Sequence, residues 1–167
     1  EDPITIQDAI MRRDNTIFPV ADLIERIGEL DVNPNEYDDV YIGNLTQGSD
    51  GKVKFEPTGD VPIRDFPTND NKEPGALEIF AMPQKNIDGV VPYERYIVSL
   101  DPFDSDVAKT MSLGSCFVMD LWTDTIVAEY TGRPMIAEDL YEKVRLLCLF
   151  YNTRCMYEQN IKGTFSY

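Results

Sequence analysis

The stretch Tyr96-Ile97-Val98-Ser99-Leu100-Asp101-Pro102 decides how the rest of the chain is read. Its apolar or aromatic positions, Tyr96, Ile97, Val98 and Leu100, are too continuous for a strand wetted on one face. They suit a central strand covered on both faces. Pro102 has no N–H to give to a ladder, so pairing should stop there. Asp101 then sits at the strand's end, on a rigid element. Two readings of Asp101 stand side by side: a carboxylate placed to hold a metal ion, or a turn or cap residue, since Asp-Pro favours turns.

Downstream the pattern is regular. A polar loop, residues 104–112, leads to strand-like Ser115 to Leu121, a tight turn at Thr123-Asp124 and strand-like Thr125 to Tyr130. Gly132-Arg133-Pro134 breaks the sheet. A helix is expected from about Ile136 to Tyr151, with Ala137, Leu140, Val144, Leu147, Cys148 and Tyr151 on its apolar face. Its acidic residues Glu138, Asp139 and Glu142 fall in the first half, where the helix dipole favours anions. Arg154 to Gln159 reads as a fourth strand, carrying Glu158. Three consecutive strands can form an antiparallel meander, and the helix can return the fourth strand parallel to the first. Ribonuclease H-like nuclease folds begin this way. The arrangement sets the first and fourth strands side by side and lets Asp101 and Glu158 meet at their carboxyl ends.

Upstream, Thr5-Ile6-Gln7-Asp8 has the form of a capping box and predicts a short helix to about Met11. Phe18-Pro19 opens a second helix, whose Val20, Leu23, Ile24, Ile27 and Leu30 predict one buried stripe ending at Asn33-Pro34-Asn35. Val40 to Leu45 and Val53 to Phe55 flank Ser49-Asp50-Gly51, a hairpin signal. Residues 57–75 carry four prolines among polar residues and read as an extended connector. Ala76 to Met82 reads as a strand and Asn86 to Pro92 as a loop. The expected division is 1–94, with short helices and a β-hairpin, and 95–167, the strand–helix–strand core; the family resemblance given below implies that the first is an interdomain linker segment and the second an incomplete ribonuclease H-like core. The chain begins at Glu1 without an initiator methionine and is expected to be a piece of a longer protein.

Composition narrows the chemistry. The net charge is −15. Residues 1–94 hold 8 basic and 20 acidic side chains, and residues 95–167 hold 7 and 10, so the acidity belongs mainly to the first part. Such a surface repels nucleic acid unless metal ions or another domain supply positive charge. There is no histidine, which excludes histidine acid–base catalysis, a histidine-containing triad and the usual zinc sites. The three cysteines, Cys116, Cys148 and Cys155, show no CxxC spacing and read as reduced core residues of a cytosolic protein. No apolar run approaches ~18 residues, so no transmembrane helix is expected. No GxxxxGK[ST] loop occurs, so no nucleotide site is recognisable.

Two carboxylates on adjacent strands, Asp101 and Glu158, are what a two-metal phosphodiester hydrolase needs, because hard Mg2+ or Mn2+ ions take oxygen ligands. A salt bridge made by Glu158 at a strand end is the plainer alternative. Asp120 and Glu129, in the second and third strands, could face the site or solvent, and solvent is expected; Trp122 is expected to pack at a turn, and Tyr130, Phe150 and Tyr151 to lie in the core. Arg133, Lys109, Arg154 and Lys162 could contact phosphate or simply solvate the surface.

Residues 96–102, Ser-Leu-Gly-Ser-Cys-Phe-Val-Met-Asp at 112–120, Val-Ala-Glu-Tyr-Thr-Gly-Arg-Pro at 127–134 and Met-Tyr-Glu-Gln-Asn-Ile-Lys-Gly at 156–163 together resemble the nuclease domain of the large terminase subunit of tailed bacteriophages. Gln-Asp-Ala-Ile (7–10) and Phe-Pro (18–19) resemble the segment joining that family's ATPase and nuclease domains. The likeness is strongest over 96–163 and weak over 31–92. It implies a ribonuclease H-like fold and Mg2+- or Mn2+-dependent hydrolysis of double-stranded DNA during packaging, in the cytoplasm of a bacterial host. Asp101 then matches the first-strand, bridging metal ligand and Glu158 the second acid. The family's third acid lies beyond residue 167. Asp104 and Asp106 are possible accessory acids, and Arg133 and Lys162 possible phosphate contacts. The implied partners are DNA, the terminase ATPase domain, the portal and the small terminase subunit, with no membrane. The alternatives are a non-catalytic acidic interaction domain and another ribonuclease H-like enzyme, such as a transposase or resolvase.

Overall fold

A computed structural model describes residues 19–33, 40–63, 74–103 and 112–157. The chain divides into two units, Glu1–Asp39 and Val40–Tyr167. In the first, α1 (Val20–Val32) starts after Pro19, whose φ of −73° suits a helix entry, and ends where the Asn33 N–H reaches the Glu29 carbonyl. Its expected apolar stripe is only half covered. Val20, Ile24, Ile27 and Leu30 are half-buried and Leu23 is exposed, so no residue of α1 is buried. The capping box at 5–8 lies outside the described residues.

The second unit is a mixed α/β arrangement built on one seven-stranded sheet. The strands are β1 (Tyr41–Gln47), β2 (Val53–Pro57), β3 (Leu77–Ile79), β4 (Tyr96–Asp101), β5 (Gly114–Asp120), β6 (Thr125–Gly132) and β7 (Cys155–Tyr157), with α2 (Ala137–Phe150) between the last two. Their order across the sheet is β2-β1-β3-β6-β5-β4-β7. The hairpin read at Ser49-Asp50-Gly51 is present: β1 and β2 pair antiparallel, and Gly51 takes φ +76°, a conformation open to glycine without strain. The meander is present too, with β4 antiparallel to β5 and β5 to β6. α2 then crosses over and returns β7 parallel to β4.

Three expectations need correction. The division at 94/95 falls inside this sheet, because β3 pairs with β6 and carries the β1–β2 hairpin with it. β4 is next to the edge, not central; the middle position belongs to β6. Nor is β4 covered on both faces. Tyr96, Val98 and Leu100 are buried, Ile97 and Ser99 are half-buried, and Asp101 is exposed. The period-2 alternation of a strand buried on one face is therefore what its residues follow.

The buried face lies under α2, which packs over β1, β2, β4 and β5. Leu140, Val144, Leu146 and Leu147 of α2 meet Ile79, Val98, Cys116, Val118, Tyr130 and Tyr151, all within one hydrophobic cluster. Each such aliphatic side chain removed from water contributes about 1.5–3 kcal/mol. The two buried tyrosines keep their hydroxyls satisfied. Tyr130 donates to the Pro74 carbonyl at 2.6 Å and Tyr151 to the Ala81 carbonyl at 2.8 Å. Those bonds tie the segment around β3 onto β6 and α2. Gly75 lets this segment approach: at φ +63°, an added Cβ would lie 2.1 Å from the Thr131 carbonyl oxygen.

Candidate metal centre

The opposite face of the sheet is the more open one, and Asp101 belongs to it. Directly opposed residues share a face in paired strands. One row therefore runs Asp101, Ser115, Thr131 across β4, β5 and β6. The neighbouring row runs Met156, Ser99, Phe117, Glu129, Glu78 from β7 to β3. Asp101 ends β4 just before Pro102, as the missing donor of that proline requires. Its carboxylate is exposed and makes no hydrogen bond or ion pair among the described residues. Beside it, the Ser115 and Thr131 hydroxyls are 2.9 Å apart, and Thr131 lies 3.4 Å from a carboxylate oxygen of Glu129. Asp101 thus stands at the end of a row whose other side chains, Ser115 and Thr131, carry oxygen atoms. Hard divalent cations prefer such donors.

At the far end of the same ladder the chemistry is opposite. Asp120, opposite Tyr96, is buried and grips Arg95: Nε lies 3.0 and 3.2 Å from its two oxygens and Nη2 lies 2.7 Å from one. The Trp122 N–H donates to the same carboxylate at 2.9 Å. The guanidinium lies 4.5 Å from the Trp122 ring centroid and 5.3 Å from that of Tyr96. The hydrogen bond from Arg95 holds the Asp120 carboxyl below its usual range, and the same bond raises Arg95. Asp120 was expected to face solvent, and this is a correction. The signal was in the alternation, since Cys116, Val118 and Asp120 fall on one face. Glu129, also expected in solvent, is half-buried. Trp122 is two-thirds exposed, lying over Arg95 at the turn.

Of the other candidates, Arg133 is described and is committed to the protein. It donates to the Ser112 carbonyl at 2.6 Å and lies 4.6 Å over the Phe103 ring, bracing both ends of the segment between β4 and β5. Arg154 pairs with Glu94 on the surface. Glu158, Asp104, Asp106, Lys109 and Lys162 lie outside the described residues. Among the described residues, no group of three or more His, Cys, Asp or Glu side chains is arranged to hold a metal ion. No helix among them is long and apolar enough to cross a membrane.

The cysteines behave as packing residues, with one distinction. Cys116 is fully buried, and burial pushes its thiol up to about 12. Cys148 and Cys155 are half-buried and free, and the Cys155 thiol lies 3.6 Å from the Met156 carbonyl oxygen. Tyr130 and Tyr151 are core, as expected, and Phe150 is half-buried. Compared with protein-family models, with characterised proteins and with solved structures, the chain shows no significant match.

Proposed function

We propose that this chain carries the opening part of a ribonuclease H-like nuclease, resembling that of the large terminase subunit, and that Asp101 and Glu158 hold Mg2+ or Mn2+ for hydrolysis of double-stranded DNA. The observation that carries this reading is the parallel register of β4 and β7. Val98 pairs with Cys155, Ser99 with Met156 and Leu100 with Tyr157. In the sequence Asp101 follows Leu100 and Glu158 follows Tyr157, so continuing that register by one residue would match two acids remote along the chain. The meander, crossover helix and parallel return strand give the same order as the fold class proposed.

The Asp101 carboxylate and the Ser115 and Thr131 hydroxyls on its row are oxygen donors of the kind that suit a hard divalent cation. When bound, such ions supply an activated water and neutralise charge on the leaving oxygen. The chain's own contribution is placement. β4, hydrogen-bonded on both sides, fixes the Asp101 backbone. Its carboxylate is exposed and has no ion-pair partner among the described residues. The net charge of −15 means that DNA is approached through metal ions or through basic surfaces of a larger assembly, such as a motor domain, portal or small subunit. Under this reading the protein works in the cytoplasm of a bacterial host.

The test is Mn2+-dependent nicking of supercoiled plasmid by a version extended past Tyr167, compared with Asp101→Ala and Glu158→Ala. Both variants should lose at least ~100-fold in rate, the scale of losing a catalytic electrostatic contact. Variants that cut as well as the parent would refute the assignment.

A further inference from the structure

β2 (Val53–Pro57) lies at one edge of the sheet, and no described strand pairs with its outer side. Its register with β1 shows which backbone groups that outer side offers. At one end of the hairpin the Gly48 N–H reaches the Lys52 carbonyl, and at the other the Thr58 N–H reaches the Ile42 carbonyl. Bonded and unbonded pairs alternate along an antiparallel ladder, so Lys54 and Glu56, opposite Thr46 and Asn44, are the residues bonded to β1. Val53, Phe55 and Pro57 therefore turn their backbone groups outward, and all but the proline offer an N–H as well as a carbonyl. Lys54, Glu56 and Pro57 are exposed, while Val53 and Phe55 are half-buried. Neither Lys54 nor Glu56 has an ion-pair partner among the described residues. An unpaired edge of this kind is a template for another strand.

We infer that β2 is the interface for a second copy of this chain, the two β2 strands pairing antiparallel about a two-fold axis at Phe55, so that two seven-stranded sheets run on as one. The charges select this register. Directly opposed residues of an antiparallel pair both turn toward the other strand or both turn away. Outward-turned Phe55 can therefore oppose only Val53, Phe55 or Pro57 on the second β2. Against Val53 of the partner subunit, Lys54 meets the partner's Lys54. Against Pro57 of the partner subunit, Glu56 meets the partner's Glu56. Only Phe55 against the partner's Phe55 sets each Lys54 opposite the partner's Glu56, and opposite charges across a pair stabilise it where like charges do not. In that register the two Phe55 residues exchange both backbone bonds, and the Val53 N–H reaches the carbonyl of the partner's Pro57. Phe55, already edge-on to Tyr41 at 6.2 Å between ring centroids, gains a second aromatic neighbour. A lysine alone blunts an edge; two residues before Glu56, Lys54 specifies a partner. The pairing is independent of the nuclease reading, because β4 and β7 lie at the other side of the sheet.

Sedimentation velocity on the full chain at rising concentration should show a reversible monomer–dimer equilibrium. Hydrogen exchange should slow at the Val53 and Phe55 amides as the dimer forms, while the Lys54 and Glu56 amides, already bonded to β1, stay unchanged. Lys54→Glu and Glu56→Lys each set like charges opposite one another and should weaken self-association about 10-fold or more. Both positions are exposed, so the melting curves should match that of the wild type. Mixed in equal amounts, the two variants should form a heterodimer about as tight as the wild-type dimer, because each supplies the charge the other lacks. The chain carrying both substitutions should again pair with itself. A wild type that stays monomeric, a dimer indifferent to Lys54→Glu, or variants that fail to pair when mixed would overturn the proposal.

Discussion

The β4–β5 ladder carries an aspartate near each end, and the two have opposite surroundings. Asp120 is buried, gripped through both oxygens by Arg95 and further bonded by the Trp122 N–H. Asp101 is exposed and has no partner among the described residues. One strand pair has thus spent one acid on structure and left the other available to a ligand. The charges are identical; the face of the sheet decides the role. Asp120 shares the α2-covered face with Cys116 and Val118, where an unpaired charge would be costly. Asp101 shares the other face with Ser99 and Ser115, where water can solvate it.

The comparison breaks most visibly at the buried end. Arg95→Met leaves Asp120 buried without its partner, and should lose about 3–5 kcal/mol in urea unfolding. Arg95→Met combined with Asp120→Leu should recover most of that loss. Equal losses in the single and double variants would mean that packing, not charge, holds this end.

The acid limb sharpens the same contrast. Asp120 has a folded-state pKa below its ordinary 3.8. Its contribution to stability is therefore full above that value and is lost as pH falls through the folded pKa. Asp120→Asn should start less stable and show a shallower loss as pH falls below the ordinary aspartate range. Parallel acid curves for the two proteins would contradict the pairing.

A smaller effect is expected at the turn. Trp122→Ala removes the ring over Arg95 and should cost about 1 kcal/mol, most of it absent when Arg95 is already Met. The smallest belongs to Asp101→Asn, which should change stability by no more than about 0.5 kcal/mol, because nothing in the described structure depends on its charge. A large loss there would show that Asp101 is structural after all.

Much of the second half of the chain was legible because its signals are local. The alternation of Ser115 to Leu121, the helical spacing of Leu140, Val144 and Leu147, and the Asp-Pro stop at 101–102 each report one element's own burial. What failed was information held between elements. β3 has only three residues, too few to show a period, so nothing announced that the 41–57 hairpin joins the main sheet. Ile97 beside Val98 suggested a doubly covered strand, although only one face of β4 is closed. Asp120 was read by its charge, because its partner Arg95 is 25 residues away. The hydrogen bond from Arg133 to the Ser112 carbonyl, 21 residues earlier, was hidden from local reading for the same reason. The pairing of β4 with β7 was inferred from element order alone and is present in parallel register.

The most direct measurement of the central claim is calorimetric titration of Mn2+ into the wild-type chain, Asp101→Asn and Asp120→Asn at neutral pH. The account predicts saturable binding by the wild type, retained in folded Asp120→Asn and abolished in Asp101→Asn. Identical binding heats for wild type and Asp101→Asn, or no binding by either, would contradict it.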